Sequence, residues 1–176
     1  MKSSVSNSIA GRGFSLVELM VAVAILSVLS ATALPRYFNQ VQKTRQNEAA
    51  TNVSQIQTTI ASFVNEMGVL PVSWSDLNKI TPLMTPEGPA NQKNFSAISL
   101  AGAGCSNSQE INCYLIDASE QNQIFTLRAS SKNNDAAPYN VIACIDLRTG
   151  ATDLKKGSHQ KAAALEQLRC IRPENE

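Results

Sequence analysis

Glu18 lies inside FSLVELMVAVAILSVLSATAL, residues 14–34, an apolar run that carries no other charge. At about 1.5 Å per helical residue the run is long enough to cross a hydrocarbon layer of roughly 30 Å. A carboxylate near the centre of such a layer costs roughly 3 kcal/mol on insertion scales and less near the interface, and ionisable groups there are functional candidates. The chemistry that fits is charge pairing. A cut between Gly13 and Phe14 would create an α-amino group at Phe14, four helical residues before Glu18, with both charges on one helix face. In an apolar core, the ammonium of one chain set against the carboxylate of a staggered neighbour is worth much more than in water, and an unpaired Glu18 is costly. Such a pair would set the register of an assembly.

No other residues group into a catalytic set. His159 is the sole histidine, and nothing in the sequence pairs it with a nucleophile. Gly102-Ala103-Gly104 resembles the start of a dinucleotide loop, but Asn107 stands where the third glycine is needed. Lys155-Lys156-Gly157 lacks the context of a phosphate loop, and no acidic cluster suggests calcium. Cysteines 105, 113, 144 and 170 lack zinc-type spacing, so neither a metal nor a cofactor is expected and the chain reads as a non-enzyme. Their even number suits two disulfides formed in an oxidising compartment. Of the three possible pairings, Cys105–Cys113 with Cys144–Cys170 is preferred, because it closes two local loops without crossing chain segments.

Formal net charge is +1, and removing Lys2 and Arg12 with residues 1–13 leaves 13 basic against 14 acidic side chains. Neither state has the field that obligate nucleic-acid binding requires. The last third is locally basic through Arg148, Lys155, Lys156, Lys161, Arg169 and Arg172, which read first as a solvated face. As a DNA-contacting face the cluster would bind with steep salt dependence. Aromatic residues do not interleave with it, so stacking on single strands has little support.

Several elements must hold these residues in place. Residues 1–13 are short, polar and basic, which keeps them cytoplasmic and predicts export of the bulk of the chain. A secretory signal is the rival reading: cleavage after Ala33 in Ala31-Thr32-Ala33 would release a soluble protein. Glu18 speaks against it, since a discarded signal has no use for a buried acid. Pro35 lacks a backbone donor and predicts a kink. Beyond it, Val41, Ala49, Val53, Ile56, Ile60, Phe63, Val64 and Met67 recur near helical spacing until Gly68 and Pro71. The expected order is therefore a leader over 1–13, a transmembrane or filament-core helix over 14–34 and an amphipathic helix over 35–67. A connecting loop anchored by Trp74 follows over 68–93, then a β-rich head over 94–176. Within the head, strands are expected near 94–100, 112–118, 123–130 and 139–147, and a short helix over 161–169. The fold class is α+β: a long kinked helix on a small antiparallel sheet.

Gly13-Phe14-Ser15-Leu16-Val17-Glu18-Leu19-Met20 resembles the processing site of type IV prepilins and pseudopilins: a basic leader ending in Gly, then Phe, three residues, Glu and a long apolar helix. Pro35 falls where many such pilins carry a proline. The resemblance covers about the first 55 residues. It implies that a prepilin peptidase cuts after Gly13 and methylates Phe14, and that Glu18 and Pro35 serve assembly. It also implies an inner-membrane subunit whose head is exported, and which an assembly platform and its ATPase polymerise into an extracellular pilus serving adhesion, twitching motility or DNA uptake. A disulfide-closed C-terminal loop is common in that family, which makes 144–170 the candidate surface for outside contacts. Within the same family a type II secretion pseudopilin or a minor pilin is the alternative. A DNA-binding pilin receptor and a soluble protein cut after Ala33 are the others.

Overall fold

The computed structural model describes residues 14–102 and 105–171, and the chain divides into two compact units, Met1–Phe38 and Asn39–Glu176. Helix α1, Leu16–Met67, contributes to both and passes through Pro35. Among the described residues the first unit holds only the opening turns of that helix. In the second unit α1 becomes one-sided. Ala49, Val53, Ile56, Ile60 and Phe63 are buried, and their alternating steps of four and three residues keep them on one stripe.

That stripe packs on a five-stranded antiparallel sheet: β3 (Ile98–Ser99), β4 (Tyr114–Gln121), β5 (Ile124–Ser131), β6 (Val141–Asp146) and β7 (Thr152–Lys156), ordered as in the chain. Pairing Ala118 with Leu127, Leu127 with Ala143 and Ala143 with Leu154 puts one apolar row across four strands, facing the helix. A second row joins Ile116, Ala129 and Val141. The stretch before β3 closes the core's end. Helix α2 (Trp74–Leu77), capped by the Ser73 hydroxyl, places a fully buried Trp74 whose Nε1 donates to Ser96 O at 2.8 Å. Trp74, Phe95 and Phe125 follow in edge-to-face contact. A two-residue hairpin, β1 (Met84–Thr85) with β2 (Gly88–Pro89), completes this segment.

Two buried glutamines fix the helix on the sheet. Gln46 Nε2 donates to Asn140 O and Gly157 O, and Gln57 Nε2 donates to Cys144 O and Asp153 O. Each amide reaches the paired β6 and β7 segments, or the residues that flank them. The two lie eleven residues apart, close to three helical turns, so they project from one face. Nearby, Tyr114 Oη donates to Tyr139 O at 2.8 Å, and burial pushes the Tyr114 phenol up to about 12.

The C-terminal segment covers the opposite side of β6. Ile142 and Cys144 point away from the helix and form a second small core with Ala163, Leu168 and Cys170, flanked by Ile124 and Leu165. The disulfide Cys144–Cys170 ties the segment to β6, with Cα atoms 6.2 Å apart. The Asn140 side chain clasps it from both sides: its Nδ2 donates to Ala163 O at 2.8 Å and its Oδ1 accepts from Ala163 N at 2.7 Å. Gly157 sits in the crook. A Cβ there would collide with Pro138 O and lie 2.6 Å from Asn140 Oδ1.

The α+β architecture is as the sequence implies, with differences of detail. The expected strand 94–100 shrinks to Ile98–Ser99, and Tyr139 ends a 3-10 turn (Asn134–Tyr139) instead of opening a strand. Strand β7 lies outside the expected strands: its residues are largely charged, as befits a sheet edge protected from further pairing. The helix expected over 161–169 is only a 3-10 turn at Leu165–Gln167. Nine residues are too few to hold a helix alone, and Asn140 takes the backbone groups of Ala163 that a helix would use. The stretch 68–93 holds α2 and the β1–β2 hairpin.

Two predictions test this packing. The β4–β5 turn puts Asn122 and Gln123 at φ 54° and 64°, the left-handed region a two-residue hairpin of this kind requires and that glycine adopts without strain. Gln123→Gly should raise stability by about 0.5–1 kcal/mol, read as a higher urea midpoint of the full chain in mild detergent. At the β6–β7 turn, Arg148 Nε and Nη2 each donate to the Asp146 carboxylate at 3.1 Å, holding it down at about 2. Because the folded value lies below the unfolded one of about 3.9, its stabilisation is present above that value and is lost as pH falls toward about 2. Asp146→Asn should therefore lower the melting temperature at pH 7 and flatten its fall in acid.

Candidate assembly site

In the first unit the described side chains from Phe14 to Phe38 are all exposed. Leu16, Val17, Leu19, Met20 and Val21 fall within a turn and a half and are each more than half exposed, so apolar surface runs around the whole helix. A helix apolar on all sides requires lipid or other helices around it. Glu18, the one charge in the apolar run 14–34, sits in the first turn, where the Leu19 amide donates to Ser15 O at 3.1 Å. That position complements the positive end of the helix dipole. Ser27 Oγ donates to Val23 O at 2.7 Å, which satisfies the hydroxyl within its own helix.

Phe14 opens the described residues and is 84% exposed, while Gly13 lies outside them. Among the described residues no single helix is long and apolar enough to cross a membrane, and Leu16–Ala31 passes that test only together with Arg36–Met67.

The basic residues of the last third do not form one free cationic face. Arg148 is engaged by Asp146, Lys155 Nζ lies 3.4 Å from Asp153, and Lys156 Nζ donates to Asn47 Oδ1. Asp153 also accepts from the Arg169 amide at 3.0 Å. Burial pushes its carboxyl up, but the bonds from the Arg169 and Leu154 amides and from Lys155 outweigh that and leave it below the usual carboxylate range. Lys161 and the Arg169 side chain are exposed, and Arg172 lies outside the described residues.

The other disulfide, Cys105–Cys113, closes a loop whose Asn112 accepts from Arg45 of α1 at 2.7 Å. Lys132 Nζ reaches Ser108 O in the same loop. The polar clasps made by Gln46, Gln57 and Asn140 escape a reading of the sequence, since amides beside an apolar stripe look like surface. The eleven-residue spacing of the two glutamines is the one signal that could have found them.

A family model described as the prokaryotic N-terminal methylation motif matches residues 10–34. The chain is 42% identical over 55 residues to the type IV major pilin protein PilA of Myxococcus xanthus (strain DK1622), a stretch covering 31% of this chain and 25% of that protein. It is 33% identical over 70 residues to the type IV major fimbrial protein FimA of Dichelobacter nodosus, covering 38% and 45%. Fimbrial protein Q of Moraxella bovis is 28% identical over 95 residues, covering 53% and 60%. The matched stretches thus span a quarter to three-fifths of these relatives. No solved structure matches the chain at a significant level. The chain carries the methylation motif of type IV prepilins and shares a third to a half of its length with type IV pilins and fimbrial proteins.

Proposed function

We propose that this chain is a structural subunit of a type IV pilus, made as a precursor and polymerised through its N-terminal helix. The observation that supports this reading best is the methylation motif over residues 10–34, joined to a helix that exposes apolar side chains in every direction. A prepilin peptidase hydrolyses the Gly13–Phe14 amide, leaving a carboxylate on Gly13 and an ammonium on Phe14. Methylation of that nitrogen keeps it a cation. The apolar segment 14–34 then holds the subunit in the inner membrane with its head exported, where the cysteines oxidise. Pro35, which has no N–H to donate, loosens the helix where the apolar segment ends.

On transfer to the filament, the methylated Phe14 ammonium of an incoming subunit meets Glu18 of one already placed. Desolvation makes that pair strong and makes every misregistered position leave a charge unpaired. The chain acts as a building unit and the covalent chemistry is performed on it, by the peptidase; the assembly platform and its ATPase supply the work. Two disulfides in the head favour a pilin over a secretion pseudopilin. The engagement of Arg148, Lys155 and Lys156 leaves the DNA-receptor reading with little to build on.

Intact mass and N-terminal residue of the protein from its host test the reading. An N-methylated Phe14 start is expected, and a Leu34 start would mean a discarded signal peptide and overturn it. Glu18→Ala should leave export and processing normal while reducing filaments at least tenfold; filaments at parental abundance would remove the register role.

A further inference from the structure

Between the last turns of α1 and the β6–β7 turn the head carries an open groove of about 560 Å³. Ala61 and Val64 of the helix and Ile145 and Leu147 of the sheet give it an apolar lining, which uncharged polar side chains such as Asn65 and Thr152 share. The lining includes no acidic or basic residue, although Asp146 and Arg148 stand beside it in the chain. The short side chains of Thr58 and Ala61, and the bare backbone of Gly150, are why the space stays open.

We infer that this groove seats the apolar segment 19–34 of a second copy of the chain. The inference rests on the pilus reading and names a contact within it. Two observations select the occupant. A groove with no charge in its lining offers no compensation to a charged partner surface, which would lose its hydration on entry. The head's own outer faces bear such charges, whereas residues 19–34 bear none. That segment is also the part of the molecule that needs cover, because its apolar residues are exposed all round. Dimensions agree. The groove follows α1 from Ser54 to Asn65, about 17 Å, and a helix over 19–34 runs about 23 Å. The Ser27 hydroxyl, bonded to Val23 O, needs no partner in the groove, so seating it leaves no donor unsatisfied. A contact between the helix of one copy and the head of the next is heterologous and does not close on itself, so it propagates as a fibre does.

The test places a photoreactive benzoylphenylalanine at Thr58, an exposed groove position, in full-length chain expressed in the host beside isotopically heavy copies. Ser119, exposed on β4, serves as the control position. Irradiation of intact cells should join Thr58 of one copy to residues 19–34 of another, seen as light–heavy cross-linked peptides, and Ser119 should give none. A second variant, Thr58→Trp, fills the groove and should cut filament yield at least tenfold while the Phe14 start and the head's melting temperature stay unchanged. Cross-links from Thr58 to another head or to a different protein, or parental filament yield in Thr58→Trp, would overturn the seat alone. Cells in which the unaltered chain is processed at Leu34 or forms no filament would overturn the pilus reading, and the seat with it.

Discussion

Water can touch one side of a half-buried helix, but it cannot be kept off a helix that is apolar all round. Most of what this chain does with its residues follows from that constraint. From Phe14 to Phe38 apolar side chains point in all directions, and the helix can satisfy its own backbone but not its surface. From Ala49 to Phe63 the apolar residues gather on one stripe, and a sheet folded from the same chain covers them. The first stretch needs a partner and the second brings its own. Within residues 14–34 a single acidic side chain then decides which partners and which alignments are tolerable, since desolvating the Glu18 carboxylate without an opposite charge is costly.

The head solves a more ordinary problem with unusual economy of parts. One helix face and two apolar rows across the sheet make the main core, and polar groups are placed where they lock that packing. Gln46 and Gln57 bind carbonyls on β6 and β7 or the residues flanking them, so sliding the helix by a residue would break both sets of bonds together. Among the described residues, no buried side-chain polar atom lacks a partner. This matters because buried unpaired groups are where a fold first gives way.

The α+β class could be read from the sequence because its signals are local and periodic: helical spacing from Val41 to Met67, and β-branched runs such as Val141-Ile142. The N-terminal motif was legible for the same reason, since residue order within eight positions carries it. What escaped was set by long-range contacts. Strand β7 has polar residues because it is an edge, so its sequence resembles a loop. The 161–169 stretch has a helical composition, yet Asn140 and Cys144 hold it in another shape from across the sheet. The partners that neutralise Arg148 and Lys155 lie two residues back along the chain, and charge counting alone did not weigh them.

Strand β6 sends Val141, Ala143 and Ile145 toward the helix and Ile142 and Cys144 toward the C-terminal segment, so every one of its residues is buried. It is a party wall between two rooms. Furniture can be moved in the outer room, where Ser158 to Gln160 are exposed, without disturbing the inner one. A lineage of such proteins is therefore free to change its outward appearance between Cys144 and Cys170 while the half that holds the helix stays as it was.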